Sequence, residues 1–480
     1  MKKITVILIA GIVGLLSACD SWLDVKPYDS MTEDQMYSTE QGIQKALNGL
    51  YLGLASENLY AKEMTCGTVD VLSQRFYIKS TENPYHDMVN FRYTNDDPKA
   101  IFEKIWKEAY RLIADCNNFL ERVPEYKSLL TKRDYPVMMG EALAVRTYVH
   151  FDMFRLFGPV YTVENLQQPS IPYYSRVTDV PASLLTAESM MKNLIADIDT
   201  AIVWMAKDPV RTDGLGDKDG FWDYRNLRMN YYAAWALKAR MLWYMGSGYE
   251  SEAHQIVADL LEGKDPGTTN ANNFTDIFPP VSGKNVAKDR IFFPEILFGI
   301  HNMKRDDLYK KLFSTDLDDK SILWVTQSYF SGMYTQENDY RNRWFENATA
   351  DRGEVKMFLK FRPEDAAKGN TYGHETQALI RLSELLLIAA STTDDPEEKT
   401  DYLEQLRINR GYQTGNADGF DPEVLLDEEY QREFYGEGQY FFFLKRNQVK
   451  TIKNQEGNNV GIGDHYIIPM PDSEINNRYN

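Results

Sequence analysis

From Met31 to the end of this 480-residue chain, apolar residues recur mainly at helical spacing, and few stretches sustain the alternation that a half-buried strand needs. That periodicity confines the chain to a mainly α fold. Thr39-Glu40-Gln41 leads into Gly42–Leu54, where Ile43, Leu47, Leu50 and Leu54 line one face. Ala100–Val123 carries Ile101, Ile105, Trp106, Leu112, Ile113 and Leu120 in the same manner. Met138–Phe157 follows and stops at Gly158-Pro159, since glycine permits the turn and proline cannot continue the hydrogen-bond ladder.

Later helices come as pairs. In Met229–Glu262 the break at Gly246-Ser247-Gly248 lets a second helix fold back on the first; Leu237, Tyr244, Ala253 and Val257 fall near the large and small positions of a tetratricopeptide unit, and Pro266 follows. Leu379–Ala390 and the stretch holding Leu403, Leu406 and Ile408 suggest a further pair across Asp394-Asp395-Pro396. The pattern predicts degenerate tetratricopeptide-type helix pairs with long loop insertions and a few short strands, not a regular solenoid. The insertions fall around residues 67–99, 165–228 and 264–376. Loops of this length are seldom idle. Inside the last of them, the apolar run in Arg290–Ile300 predicts a buried strand.

The amino terminus has a separate logic. Lys2 and Lys3 precede an apolar run from Ile4 to Leu16, and Leu16-Ser17-Ala18-Cys19 resembles a bacterial lipobox. The run is about 13 to 15 residues, short of the roughly 20 that span a bilayer, so it reads as a secretory signal. The expected organisation is a signal peptide over 1–18, a tether over 19–30 acylated at Cys19, and one α-helical domain over 31–480. Acyl chains at about 0.8 kcal/mol per buried CH2 would hold that domain on a membrane that it does not cross.

The formal net charge of −18 excludes nucleic acid as a partner, since a polyanion meets no basic stripe. Aromatic residues make up 13% of the chain, and Tyr and Trp in such number supply flat binding surfaces as well as core. Besides Cys19, the cysteines are Cys66 and Cys116, which either pair in an oxidising envelope or remain two buried thiols. Catalytic signatures are missing. None of His86, His150, His254, His301, His374 and His465 stands at the i, i+4 spacing of a zinc helix, and there is no Gly-x-Ser-x-Gly elbow or phosphate loop. Asp213–Gly220 superficially suggests a calcium loop, but aligning Gly220 with its invariant glycine puts Leu215 and Asn226 where ligands are required. The chain reads as a non-enzyme with no cofactor and no metal.

Several motifs in order resemble the SusD/RagB family of surface lipoproteins. After Cys19, Asp20-Ser21-Trp22-Leu23-Asp24-Val25-Lys26-Pro27 resembles the family's opening, and Trp106, Tyr110, Ile113 and Asn117 its tryptophan-tyrosine-asparagine helix. Glu141–Tyr148, running on to Leu156-Phe157-Gly158-Pro159, resembles a third motif, Ala233–Tyr244 the alanine-rich repeat helix, and Glu295-Ile296-Leu297-Phe298 a strand. Arg381–Leu387, Leu406–Gly411, Arg432–Gly438 and Pro469–Ile475 complete the series. Two departures, Ala389-Ala390-Ser391 and the pair Tyr440 and Phe443, predict altered packing under the C-terminal lobe.

The resemblance implies a SusD-like fold and a non-catalytic lipoprotein anchored in the outer membrane and facing the cell exterior. It would capture oligosaccharide and deliver it to a SusC-like TonB-dependent transporter. RagB-like members imply peptide capture as an alternative, and a structural or adhesive surface repeat protein is the reading from another class. Sugar rings stack their apolar faces on Trp and Tyr while their hydroxyls bond Asn, Asp and Arg. The segment Asp70–Asp97 holds that mixture in Asp70, Arg75, Tyr77, Tyr85, Asn90, Phe91 and Tyr93. The later insertions add Trp222, Tyr224, Trp324, Tyr329 and Tyr334, and the resemblance implies a ligand surface shared between these regions.

Overall fold

Helices begin where a short polar side chain can satisfy a free N–H of the first turn. Thr39 accepts from Gly42 and opens Glu40–Leu54, Thr186 accepts from Ser189 and opens Ala187–Trp204, and Asn230 accepts from Ala233 and opens Tyr231–Met245. Asp395 and Asp421 do the same for Pro396–Asn409 and Pro422–Glu433, each with proline in the first turn, where its missing N–H costs nothing. The protein is described by a computed structural model covering residues 33–216, 220–281, 289–348, 353–363, 373 and 375–479. The signal segment 1–18, Cys19 and the tether to residue 30 lie outside the described residues, as do 217–219 of the Asp213–Gly220 stretch.

The chain is mainly α, with 54% helix and 9% strand. Asp96–Arg122 packs on Asp134–Phe157, which packs in turn on Ala187–Trp204; Tyr231–Met245 lies against both Ala187–Trp204 and Glu250–Leu261. Leu382–Thr392 joins Glu250–Leu261 to Pro396–Asn409. The helix pair over 229–262 turns at Gly246 and Gly248, whose φ of +74° and +95° suit glycine alone. The strand expected in Arg290–Ile300 is Ile296–His301, paired antiparallel with Thr376–Arg381. A second small sheet, Val325–Thr326, Val355–Phe358 and Phe345–Asn347, lies in the 264–376 insertion.

Three details differ from the sequence reading. Gly158 ends its helix with an ordinary φ of −78°, and glycine is needed because a Cβ there would stand 2.6 Å from Phe154 O. Leu379 belongs to a strand, with the helix starting only at Leu382. Ala187–Trp204 is a full helix inside a segment read as loop; its apolar stripe of Met190, Met191, Leu194, Ile198 and Ile202 is buried.

The motifs of the C-terminal half converge on a buried ionic junction. Glu433 accepts from Arg381 at 2.5 Å, Arg410 at 2.6 Å and Arg341 at 3.1 Å, and Glu295 holds Arg410 at 2.7 Å. Glu429 takes Arg341, Arg432 and Arg407 at 2.8, 2.9 and 3.4 Å, while Glu437 binds Arg381 at 3.0 Å and also Lys360. Burial pushes the Glu433 carboxyl up, but the guanidiniums of Arg410 and Arg381 overrule it and hold it well below the usual carboxylate range. Removing Glu433, which serves three of the guanidiniums, leaves more buried positive charge than the remaining carboxylates offset, at about 3–5 kcal/mol.

At Tyr440 and Phe443, where the motif pattern departs, the rings belong to an aromatic stack. Arg446 lies 5.1 Å over Trp243, Trp243 stacks on Tyr430 at 5.6 Å, Tyr430 on Phe443 at 4.1 Å, and Phe443 on Tyr440 at 6.1 Å. Cys66 and Cys116 are buried free thiols, which decides between the two alternatives that their spacing left open.

Candidate functional site

Two insertions distant in sequence are joined edge to edge. Tyr77 N–H donates to Trp324 O at 2.7 Å and Trp324 N–H to Tyr77 O at 3.2 Å, an antiparallel bridge. Asn83 Nδ2 donates to Ile322 O at 3.4 Å, and on the outside Lys79 pairs with Asp319 and Lys320 with Glu82. Beyond Trp324 the chain enters Val325–Thr326, whose strand pairing ends where the Thr326 hydroxyl caps Gln327–Met333 by accepting from Tyr329 N–H. This short helix carries Tyr329 and Phe330, both half-buried. The Tyr77 ring, also half-buried, packs against the cluster of Ile322, Trp324, Met357 and Leu359.

A third segment clamps the two. Between the strands Thr451–Lys453 and Asn459–Gly461, Gln455 donates through Nε2 to Gln74 O at 3.2 Å and Arg75 O at 2.8 Å, and its Oε1 accepts from Thr326 N–H at 2.9 Å. Gln455 is 3% exposed. Sequence reading missed it, and the one available signal was Gly457, the turn glycine at φ +80° that marks the hairpin.

The residues proposed from sequence sort into two groups. Asp70 is fully buried and accepts from Gly436 N–H at 2.7 Å and Gly438 N–H at 3.0 Å; burial pushes its carboxyl up to about 7 against the opposing effect of Arg75. Both glycines need their positive φ and their missing Cβ, since a Cβ would meet the Phe358 ring at 2.8 Å or Met64 O at 2.7 Å. Arg75 is equally buried, with its guanidinium 3.9 Å over Tyr435 and one nitrogen donating to Gln431 O, while Nε and Nη1 have no hydrogen-bond partner among the described residues. Tyr85 donates to Glu63 at 3.0 Å, Tyr93 to His465 O at 3.0 Å, and Tyr334 to Arg432 O at 2.9 Å. Asp70, Arg75, Tyr85, Tyr93, Trp324 and Tyr334 thus lie in the core instead of on a surface.

The second group keeps open area. Tyr77 and Tyr329 flank the Trp324–Thr326 stretch, and the Tyr329 hydroxyl accepts from Gln431 Nε2 at 3.0 Å. Asn90 is exposed and bonds His86 O at 2.7 Å; its neighbour Phe91 holds φ +56° and stacks on His465 at 4.5 Å with 10° between the planes. A non-glycine residue at that φ is uncommon and fixes where the ring points. Trp222 and Tyr224 sit apart, Trp222 between Arg133 at 5.5 Å and Arg225 at 5.3 Å. The structure therefore joins the backbone of Arg75–Tyr77 to that of Trp324–Thr326, with the Tyr77 ring packed in the Ile322–Trp324–Met357–Leu359 cluster and the Tyr329 ring against the main core, while Trp222 lies between Arg133 and Arg225. Half-buried tyrosines on a clamped backbone suit a ligand that is apolar on its faces and hydroxylated on its rim.

Among the described residues no three His, Cys, Asp or Glu side chains gather so as to hold a metal, and no helix is long and apolar enough to cross a membrane. The sequence profile of a family described as starch-binding and associating with the outer membrane matches residues 21–211, and that of the SusD family matches residues 266–480. SusD-like protein P38 of Formosa agariphila is 28% identical over 177 residues, and SusD-like protein P2 of the same organism 22% over 215. These alignments take in 35% and 43% of this chain, which spans only about a third of the length of the curated relatives it matches, 32% and 38%. Among solved structures, a SusD superfamily protein of Bacteroides thetaiotaomicron superposes with a TM-score of 0.69 at 19% identity, covering 91% of this chain and 98% of that one. Surface glycan-binding protein A of the same organism, solved with laminarihexaose, gives 0.64 at 18%, covering 91% and 97%.

Proposed function

Since the chain belongs to the SusD/RagB family, we propose that it is a non-catalytic surface lipoprotein that captures oligosaccharide at the junction of Tyr77, Trp324 and Tyr329 and passes it to a SusC-like TonB-dependent transporter. The observation that supports this reading is the clamp of Gln455, which ties together the backbones of two adjoining insertions that carry the half-buried Tyr77 and Tyr329. A preformed site loses little conformational freedom on binding, so modest ring contacts suffice for useful affinity. The glycan-bound neighbour of similar fold supports saccharide as the ligand class. Acylation at Cys19 and the outward-facing outer-membrane location belong to the same proposal, supported by the lipobox-like Leu16-Ser17-Ala18-Cys19.

The test is calorimetric titration with a panel of dietary and host glycans, run beside a mixed peptide pool. Glycan binding that weakens on Tyr77→Ala and Tyr329→Ala is the expected result. Binding of peptide with none of glycan would overturn the saccharide reading in favour of peptide capture. For the anchor, globomycin-sensitive processing and acyl labelling that disappear in Cys19→Ser are expected; unchanged labelling would refute it.

A further inference from the structure

A cavity of about 310 Å3 opens on the outer side of the Asp96–Arg122 helix, away from the junction just described and sharing no residue with it. Trp106, Tyr110, Ile113 and Asn117 recur at helical intervals and so face the same way. In this stretch the covering element is not a helix but the loop 174–181, with Glu474 of Asp472–Tyr479 at one end. The Trp106 and Tyr110 rings lie 4.7 Å apart, and Tyr174 meets Tyr110 edge-on at 5.7 Å and 80°, so the rings make a corner.

That corner is held in place from behind. Tyr110 donates to Pro172 O at 3.0 Å, the Asn117 amide donates to Tyr174 O at 3.0 Å and Arg176 O at 3.2 Å, and the Tyr174 hydroxyl accepts from Ala182 N–H at 3.0 Å. Val177 N–H donates to Glu121 at 2.9 Å, which fixes the middle of the loop. Tyr110 and Tyr174, both half-buried, therefore present apolar faces and edges beside the buried Trp106, while the rim presents the exposed side chains of Arg176 and Asp179, which have no hydrogen-bond or ion-pair partner among the described residues. One donor and one acceptor of opposite charge, above an aromatic corner, match the hydroxyls and the apolar face of an uncharged sugar ring. The volume sits at the small end of ligand clefts, about 300–1,000 Å3, which limits the occupant to one or two rings.

We infer that this cavity is a second saccharide site, taking a neutral hexose unit as a free sugar or as the end of a chain. The inference rests on the reading of the chain as a saccharide binder, but it needs no part of the first site. Two measurements test it on the purified chain: crystals soaked in D-glucose, D-galactose, D-mannose, laminarihexaose or D-glucuronate, and calorimetry with the same compounds. A neutral sugar packed on Tyr110 and Tyr174 is expected in at least one soak; a free hexose there identifies the monosaccharide as sufficient, and occupancy by laminarihexaose alone identifies a chain end. Ala114→Trp, at an exposed position lining the cavity, should abolish that binding event, and Asp179→Ala should weaken it about tenfold. Tyr329→Ala should leave it unchanged. A cavity empty in every soak, or isotherms unaltered by both Ala114→Trp and Asp179→Ala, would overturn the inference. Binding lost in Tyr329→Ala alone would do the same while upholding the first site, and binding lost only in the cavity variants would uphold the second site and refute the first.

Discussion

The ionic junction around Glu433 and the clamp around Gln455 both tie together segments far apart in sequence, but by different means. At the first, carboxylates and guanidiniums with side chains at 0% exposure meet in fixed geometry, and each depends on the identity of the others. At the second, backbone carbonyls and N–H groups do the joining through one neutral amide, so the side chains on the outside are free to vary. The contrast separates a scaffold that demands particular residues from a site that demands only a held backbone. Under the proposed function a bound ligand would be read by Tyr77 and Tyr329 and not by the buried Asp70 and Arg75.

The largest effect should come from the ionic junction. Glu433→Gln is expected to cost about 3–5 kcal/mol in denaturant unfolding at neutral pH, whereas an equal cost from any exposed pair such as Lys79–Asp319 would erase the contrast. Because the Glu433 carboxyl is held well below its ordinary 4.5, its contribution is present above that value and lost as pH falls through the lower folded-state value. The gap between wild type and Glu433→Gln should therefore shrink below about pH 4.5, and a gap that widened on acidification would contradict the assignment.

Next in size is Gln455→Leu, which leaves the Gln74 carbonyl and the Thr326 N–H without these partners, removes one of the two donors to Arg75 O, and should cost about 1–3 kcal/mol. Faster hydrogen exchange at the Thr326 amide and weaker glycan binding should accompany it; loss of stability with unchanged affinity would detach the clamp from the site. Tyr329→Ala should weaken binding by about 2 kcal/mol with a smaller change in unfolding, since the ring is half-buried. The smallest effect belongs to Trp222→Ala, expected to leave glycan affinity within about twofold because its ring lies between Arg133 and Arg225, away from the junction. A large loss there would move the site.

The legibility of the two regions follows from the same difference. Arg381, Arg410, Glu433, Glu437 and Glu295 stood in motifs that could be recognised in order, and the structure shows them bonded to one another. Helical periodicity similarly located Glu40–Leu54 and Asp134–Phe157 to within a few residues. It failed for Ala187–Trp204, where the helix lies in a stretch rich in turn residues on both sides, and for Leu379, where apolar residues pair in a strand that helical spacing does not reveal. In the site, residue type suggested Asp70, Arg75, Tyr85 and Tyr93 along with Tyr77 and Tyr329, since all share the chemistry of sugar recognition. Only three-dimensional packing separates those whose polar atoms already face Gly436, Gln431, Glu63 or His465 from those that remain half open. Gln455 could not be found from its type, because its role is set by two backbone segments that pass beside it.

The measurement that bears most directly on the central claim is the affinity of the Tyr77→Ala/Tyr329→Ala double variant for whichever glycan binds the wild-type chain most tightly, with thermal unfolding of both proteins in parallel. The account predicts a loss of about a hundredfold or more with the fold retained. Full affinity in a folded double variant would contradict it.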